Sequence, residues 1–368
     1  EPLVRERTGL VLDPYFSATK IEWLLRHVDG LAQRAREGRA VFGTVDAWIA
    51  YQLTGELVTD ASNASRTLLY DIRRGAWDEE LCDLFGVPVR ALPEVRPSAG
   101  EVGRTAAGVP VAGIAGDQQA ALFGQACLEP GLGKNTYGTG SFVLLNAGTR
   151  TPPAPQGLLT TVAWRIGGNT MYALEASIFV TGAAVQWLRD GLGIIGQASD
   201  TEALAASLAG NDGVYFVPAL TGLVSPHWDP YARGTIVGLT RGTGRAHLAR
   251  ATLEAIAYQA VDAIEAMEAV GAPRLTALKA DGAATANRWL MQFQADVLGV
   301  PVVVPEVADT TALGAALLAG VGIGMWTLDG VQRGWRERER YEPAMDEARR
   351  RELLDGWHRA LERVAGDR

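Results

Sequence analysis

An α/β fold is predicted for this chain by three stretches in which a short apolar run leads directly into a helical pattern. AVFG at 40–43 and VAGIA at 111–115 read as buried strands, and the second opens a helix at Asp117. LTALKA at 275–280 reads as a third strand, followed by a turn and a helix closed by Gly299. Strands that alternate with helices in this way are typical of α/β domains.

The remaining elements continue the alternation. Apolar residues at helical spacing predict a helix over 15–27. Two strand-forming runs around a Gly-Thr-Gly turn predict a hairpin within 134–148, and residues 247–268 predict a long amphipathic helix. The glycine-rich apolar stretch 312–326 predicts a tightly packed core helix, whereas the Arg/Glu-rich tail after Gly334 predicts a solvated helical surface.

Composition limits the classes of function. A chain of 368 residues with 48% hydrophobic content can form two domains, and we expect them to span 1–124 and 125–368. The formal charge of −8 argues against nucleic-acid binding, and the longest apolar stretch is too short for a membrane span. Cys82 and Cys127 lack the spacing of a zinc site or disulfide framework, so we expect buried thiols in a cytoplasmic protein.

Short motifs for other enzyme classes fail on context. GLGIIG at 191–196 satisfies the dinucleotide pattern, but it follows an amphipathic helix instead of a strand. GLGKN at 131–135 resembles the end of a Walker A loop without its first glycine. The four histidines show no metal-ligand spacing, and no serine sits in a G-x-S-x-G elbow. Zinc and serine hydrolases are therefore disfavoured.

Longer composite runs carry a family resemblance. PYFSATKIEWLLRH at 14–27 and GTIVGLTRGTGRAHLARATLE at 234–254 resemble the two signature patterns of the FGGY carbohydrate kinase family. TDASNASRTLLYD, GIAGDQQAALFGQ, KNTYGTGSF and WDPYARG are similar to its glycerol-phosphorylating members. The resemblance covers nearly the whole chain. It implies two ribonuclease H-like domains, as in actin, hexokinase and the Hsp70 ATPase, with ATP and substrate meeting in the cleft between them.

The same resemblance implies an activity: transfer of the γ-phosphate of ATP to glycerol, giving sn-glycerol 3-phosphate in glycerol catabolism. Mg²⁺ is expected because the ion bridges phosphate oxygens and offsets their charge. We expect glycerol and ATP or ADP as ligands, a homo-oligomer, and neither nucleic acid nor membrane as partner. Two alternatives stay open: an FGGY kinase for another polyol or a ketose, and a non-catalytic nucleotide-binding protein.

Asp117 is the candidate catalytic residue. It follows a predicted strand, where open α/β sheets place reacting groups, although aspartate is equally a preferred helix N-cap. The resemblance assigns it to accept the proton of the attacking hydroxyl and to contact the substrate. The resemblance also implies that Tyr15, Gln118 and Phe142 bind the polyol, since amide and phenol groups match hydroxyls. Core packing is the alternative for both aromatic rings.

The nucleotide contacts are likewise implied by the resemblance. Backbone N–H groups of the Gly-Thr-Gly turn can approach a phosphate, although a plain hairpin turn explains the same residues. Family positions near the nucleotide correspond to Thr139, Gly182, Gln186, Ala283 and Asn287. Many relatives have Gly-Gly after the aspartate where this chain has Gly282 and Ala283, so we expect a methyl group to narrow the adenine slot.

Two family features precede the matched runs and are not found in the sequence. Family members hold phosphate through an N-terminal D-Q-G-T-T/S segment and clamp glycerol with an Arg-Glu pair and a tryptophan. We therefore expect the chain to begin inside the family's first domain, which would be incomplete. We also expect the 368 residues alone to phosphorylate little or no glycerol.

Overall fold

A computed structural model describes residues 1–153, 157–223 and 225–365. The final positions of the predicted second domain, 366–368, lie outside the described residues. Within the described part, no helix combines the length and the apolar character needed to cross a membrane. Both cysteines are free and buried, as the sequence predicts.

The first third of the chain consists of short helices and short strands. In chain order they are α1 (Pro2–Thr8), α2 (Ser17–His27), α3 (Leu31–Arg36), α4 (Val45–Thr54), β1 (Val58–Asp60), α5 (Ala61–Ala64), β2 (Tyr70–Asp71), β3 (Ala76–Trp77), α6 (Glu79–Leu84), β4 (Glu94–Arg96), β5 (Ala99–Arg104), β6 (Pro110–Gly113) and α7 (Asp117–Gly124). The strands pair in twos: β1 with β4 in parallel, and β2 with β3 and β5 with β6 antiparallel. Two small apolar clusters pack beneath them.

The rest of the chain is organised by one large sheet. Its elements are β7 (Leu132–Tyr137), β8 (Ser141–Gly148), β9 (Leu159–Ile166), β10 (Asn169–Ile178), α8 (Gly182–Gln186), α9 (Asp200–Ala206), β11 (Tyr215–Val217), β12 (Thr235–Val237), α10 (Arg245–Ala269), β13 (Ala277–Gly282), α11 (Arg288–Leu298), β14 (Val302–Pro305), α12 (Thr310–Gly322), α13 (Leu328–Gly334), β15 (Glu337–Tyr341) and α14 (Glu347–Ala365). Seven strands pair in the order β15-β14-β13-β7-β8-β10-β9, parallel at the two contacts of β13 and antiparallel elsewhere.

Side chains alternate between the two faces of this sheet, and the two faces differ in chemistry. One face packs on α10, with Val143, Leu145 and Leu278 among its buried residues. The other face meets α7 and α12 through Leu144, and the strand register places Lys134 beside it on β7. The apolar face forms the main core, whereas the second face carries charged residues toward the candidate site.

Helices α7 and α12 cross at unusually short range because glycines lie at the crossing. A Cβ added at Gly314 would overlap the carbonyl oxygen of Ala120, and one added at Gly124 would overlap that of Thr310. The stretch predicted as a tightly packed helix over 312–326 is therefore confirmed as a close-packing helix, although it begins at Thr310 and ends at Gly322. This crossing fixes α7, whose first residue is Asp117, against the large sheet.

Most predicted elements are present, and two predictions are wrong. The helix over 15–27, the hairpin and the long helix over 247–268 correspond to α2, to β7 with β8, and to α10. Residues 40–43 do not form a strand: this segment has no regular secondary structure, and the Phe42 N–H donates to the carbonyl of Ala91, the last residue of a short 3₁₀ helix. The tail is neither uniformly helical nor wholly solvated: Glu337–Tyr341 is β15, an antiparallel partner of β14, and α14 buries Leu353 and Trp357 in the main core.

Candidate functional site

A cavity of about 470 Å³ opens beside the end of the hairpin, between α8, α9, α10 and α11. Its wall includes the five residues predicted to contact the nucleotide: Thr139, Gly182, Gln186, Ala283 and Asn287. Apolar side chains such as Val185, Leu253 and Ile256 form much of the remaining wall. A mostly apolar cavity with a few polar groups suits a small molecule that carries an aromatic ring.

The Gly-Thr-Gly turn is held against the start of α8 by backbone hydrogen bonds. The N–H groups of Thr181 and Ala183 donate to the carbonyl of Thr139, each at 3.0 Å, and that of Gly182 donates to Gly138 at 3.1 Å. A Cβ at Gly182 would lie 2.6 Å from the Gly138 carbonyl oxygen. Glycine is therefore required at position 182 for the turn to reach this position, while the Thr139 side chain stays exposed.

Asn287 joins two elements of the cavity wall. Its Oδ1 accepts from the Leu290 N–H at 2.9 Å, which caps the N-terminus of α11, and its Nδ2 donates to Thr201 Oγ1 at 3.2 Å. Sequence reasoning missed the α9 side of the cavity, which contributes Ser199, Thr201 and Glu202. No motif in that stretch signals a ligand, since only the tertiary fold brings α9 to the cavity.

Asp117 lies where the sequence predicts, at the start of a helix after a strand, but it is not the N-cap. Gly116 occupies the N-cap position, and Asp117 is the first helical residue. Its side chain is exposed, and Oδ1 accepts from the Gln118 N–H at 2.8 Å. An exposed carboxylate in the first turn of a helix is favoured by the helix dipole and remains free to meet a ligand.

A buried aspartate holds the loop before Asp117 in place. Asp60 Oδ1 accepts from Ser62 Oγ at 2.8 Å, and Ser62 Oγ in turn accepts from the Gly116 N–H at 2.9 Å. Ser98 Oγ donates to the other oxygen of Asp60 at 2.6 Å. Burial raises the pKa of Asp60, although these hydrogen bonds act to lower it. Sequence reasoning assigned no role to Asp60, although it belongs to the TDASNAS run that carries part of the resemblance.

The predicted polyol contacts are distributed over different elements. Gln118 follows Asp117 on α7; its Nε2 lies 3.5 Å from Asp117 Oδ2, and its Oε1 accepts from Lys134 Nζ. Phe142 is partly buried on β8 against the cluster around α7. Tyr15 is 64% exposed, with its ring edge-on to Phe16 at 5.3 Å between centroids. The exposure of Tyr15 excludes the core-packing interpretation for its ring. Phe142 does pack on the core, but its side chain is only partly buried.

Comparison with known proteins agrees with this architecture. The N-terminal and C-terminal domain models of the FGGY family of carbohydrate kinases match residues 1–124 and 133–323. The chain is 56% identical to a glycerol kinase of Trichlorobacter lovleyi over 374 residues, which covers 100% of this chain and 75% of the relative. It is 54% identical to a glycerol kinase of Deinococcus radiodurans, covering 99% of this chain and 74% of the relative.

Solved structures give the same result. A Plasmodium falciparum glycerol kinase with ADP superposes with a TM-score of 0.94 at 35% identity, covering 99% of this chain and 74% of that one. A xylulose kinase of Rhodospirillum rubrum gives 0.85 at 26% identity, covering 99% and 75%. The fold is the two-domain ribonuclease H-like α/β fold of ATP-dependent sugar and polyol kinases. The chain belongs to the FGGY family of carbohydrate kinases.

Proposed function

We propose that this protein transfers the γ-phosphate of ATP to glycerol and forms sn-glycerol 3-phosphate. The proposal is supported by the 56% identity to a protein named glycerol kinase over the entire chain. The observation that carries it is geometric: an exposed carboxylate, Asp117, belongs to a hydrogen-bonded line that leads through Gln118 and Lys134 to β7. Strand β7 ends at the turn that borders the cavity.

In this proposal Asp117 accepts the proton of the attacking glycerol hydroxyl. Because the transition state of phosphoryl transfer is loose, the larger contribution of the carboxylate is to orient that hydroxyl in line with the phosphorus. The amide of Gln118 and the phenol of Tyr15 offer hydrogen bonds to the other hydroxyls, while the ring of Phe142 offers apolar surface to the carbon chain. These roles follow from residue chemistry and from the family pattern.

The cavity is proposed to hold the nucleoside, with the Gly-Thr-Gly turn and Thr139 next to the terminal phosphates. Mg²⁺ would supply charge neutralisation on those phosphates. Within the described residues, no group of three or more His, Cys, Asp or Glu side chains could hold a metal ion. This fits Mg²⁺, which keeps several waters and takes its other ligands from phosphates and one or two carboxylates. We propose the exposed Asp117 as one such carboxylate.

Three further expectations belong to the same proposal. We propose the domain division 1–124 and 125–368, which is supported by the separate matches of the two family domain models. We propose a cytoplasmic location, which is supported by the two free, buried thiols. A homo-oligomer is proposed because closed homo-oligomers are the commonest assemblies of proteins of this kind; size-exclusion chromatography with light scattering measures it.

The test is a polyol and ketose panel with ATP and Mg²⁺, in which ADP release is measured and the phosphorylated product is identified. Because we expect little turnover from the 368 residues alone, this panel and the kinetic tests below use the chain joined to the N-terminal segment that family members carry. We expect glycerol to be preferred over xylulose and over longer polyols by about a hundredfold in kcat/KM, the discrimination that a pocket reaches against a substrate with a small added group. Preference for another polyol or a ketose would show that glycerol is not the substrate, while the protein would remain an FGGY carbohydrate kinase. ADP binding by calorimetry without turnover on any substrate would support the non-catalytic alternative instead.

A further inference from the structure

Lys134 is the one residue of the rejected GLGKN motif that is both charged and completely buried. It lies in the middle of β7, paired with Leu144 on β8 and with Lys279 on β13. Burying an ammonium group is costly unless its donors are satisfied. The position therefore needs an explanation that the motif itself does not provide.

The hydrogen bonds of Lys134 go to neutral groups. Its Nζ donates to Gln118 Oε1 and, at 2.9 Å, to Thr136 Oγ1. Two carboxylates whose charges act on Lys134 accept from other donors: Glu175 from Arg66 at 2.9 Å and Asp281 from Gln125 at 3.0 Å. Within the described residues, Glu175 Oε2 and Asp281 Oδ1 have no hydrogen-bond partner, and Lys134 Nζ donates to neither of them. Neutralisation of the Lys134 charge by a carboxylate therefore does not explain why its ammonium group donates to the Gln118 amide.

The bond to Gln118 restricts the orientation of that amide. With Oε1 occupied by the ammonium group, the N–H₂ end must turn away from β7 and toward Asp117, whose Oδ2 lies 3.5 Å from Nε2. The Gln118 N–H holds the other oxygen of Asp117 at 2.8 Å. Thr136, Lys134, Gln118 and Asp117 thus form one line of polar contacts between β7 and the exposed carboxylate, and the 3.5 Å contact between the Gln118 amide and Asp117 is its longest step.

We infer that Lys134 is a positioning residue, which fixes the Gln118 amide, and through it the Asp117 carboxylate, for the hydroxyl that is phosphorylated. The inference rests on the proposed function, because it assumes that Gln118 and Asp117 face the polyol. Lys134 itself does not touch the substrate. Since Thr136 lies three residues before Thr139, the same line ties the polyol groups to the strand that leads into the phosphate turn.

Lys134→Met tests this inference, because methionine has a similar volume and no donor. We expect KM for glycerol to rise about tenfold and kcat to fall about tenfold, since a misplaced nucleophile costs roughly that much or more. The Kd for ADP should change less than about twofold. Lys279→Met is the matched control: Lys279 is the buried register partner of Lys134, and its Nζ donates to the backbone carbonyls of Gln125 and Ala126. It should lower stability and leave KM unchanged.

A double-mutant cycle adds a readout that a purely structural lysine would not change. If Lys134 acts through Gln118, then Lys134→Met combined with Gln118→Ala should lose little more than Gln118→Ala alone. Fully additive losses would overturn the inference, and so would unchanged KM and kcat in Lys134→Met. If that variant fails to fold, Lys134→Gln removes the buried charge, which is the main folding risk, and is subject to the same criteria.

A crystal structure of Lys134→Met separates failure of this inference from failure of the proposed function. The inference predicts that the Gln118 amide leaves the orientation in which Oε1 faces position 134. An unchanged amide would overturn it, whatever the activity. A wild-type chain that phosphorylates no polyol even with the N-terminal segment supplied would overturn the proposed function, while the amide orientation would still decide whether Lys134 positions Gln118.

Discussion

The nucleotide side and the polyol side of this site are built in different ways. The five nucleotide candidates lie on the wall of one cavity, and backbone hydrogen bonds and a glycine contact hold its turn in place. The polyol candidates come from separated elements, and two of them, Tyr15 and Asp117, are exposed. One side is formed by the backbone, whereas the other depends on side chains oriented by their neighbours.

This difference predicts how each side responds to mutation. A backbone-formed site is disrupted by added bulk, which changes the affinity for the nucleotide. A side-chain site is disrupted by lost functional groups or lost orientation, which changes kcat while nucleotide affinity stays the same. The Asp60 network and Lys134 belong to the second kind. Both are buried, and they orient the site indirectly: Asp60 holds the Gly116 N–H through Ser62, and Lys134 holds the Gln118 amide.

The largest effect is expected from Asp117→Asn, which changes only the polyol side of the site. An amide cannot accept the hydroxyl proton, so kcat should fall by about 10² to 10⁴, while the Kd for ADP measured by calorimetry stays within about twofold. Asp329→Asn, in the first turn of α13, is the matched control and should behave like the wild type. Near-normal turnover in the Asp117 variant would remove Asp117 from the catalytic role.

Gly182→Ala disrupts only the nucleotide side of the site. Its Cβ would lie 2.6 Å from the Gly138 carbonyl oxygen, so either the turn or α8 must shift. We expect ADP affinity to fall about tenfold or more, because each 1.4 kcal/mol of strain costs a factor of ten. Gly334→Ala is the control, since no atom lies within 4 Å of the added Cβ. Equal ADP affinity in both variants would show that the turn does not contact the nucleotide.

The same contrast explains what the sequence could predict. Local patterns predicted α10, the hairpin and the helix that starts at Asp117, because periodicity and turn residues are local signals. The prediction of a strand at 40–43 was wrong, because apolar composition cannot show whether a partner strand lies beside the segment. The α9 wall of the cavity and the bond from Lys134 to Gln118 depend on contacts between distant segments, which no single motif encodes.

Lys134 also predicts a pH dependence of stability. Burial lowers its pKa from 10.5 to about 8, so the unfolded chain binds more protons than the folded chain between these values. The free energy of unfolding of the wild type, relative to Lys134→Met, should therefore rise with pH in that window, by at most about 1.4 kcal/mol per pH unit. Below pH 8 the difference should be constant. Urea unfolding of both proteins at pH 7 to 10 measures it, and a difference that stays flat throughout would mean that Lys134 keeps an ordinary pKa.

The smallest effect is expected from Ala283→Gly, which introduces the Gly-Gly pair that the family resemblance leads us to expect. Ala283 is exposed and lines the cavity at the start of a 3₁₀ turn, so removing its methyl group widens the slot without breaking a contact. ADP affinity should rise by no more than about threefold, a change well under 1 kcal/mol. The variant should also lose about 0.4–1 kcal/mol of stability, because glycine has more freedom in the unfolded chain. Ala107→Gly, an exposed turn position between β5 and β6, controls for this loss. Weaker ADP binding in Ala283→Gly than in the control would mean that the methyl group contacts the nucleotide favourably, and that the slot is already matched to its ligand.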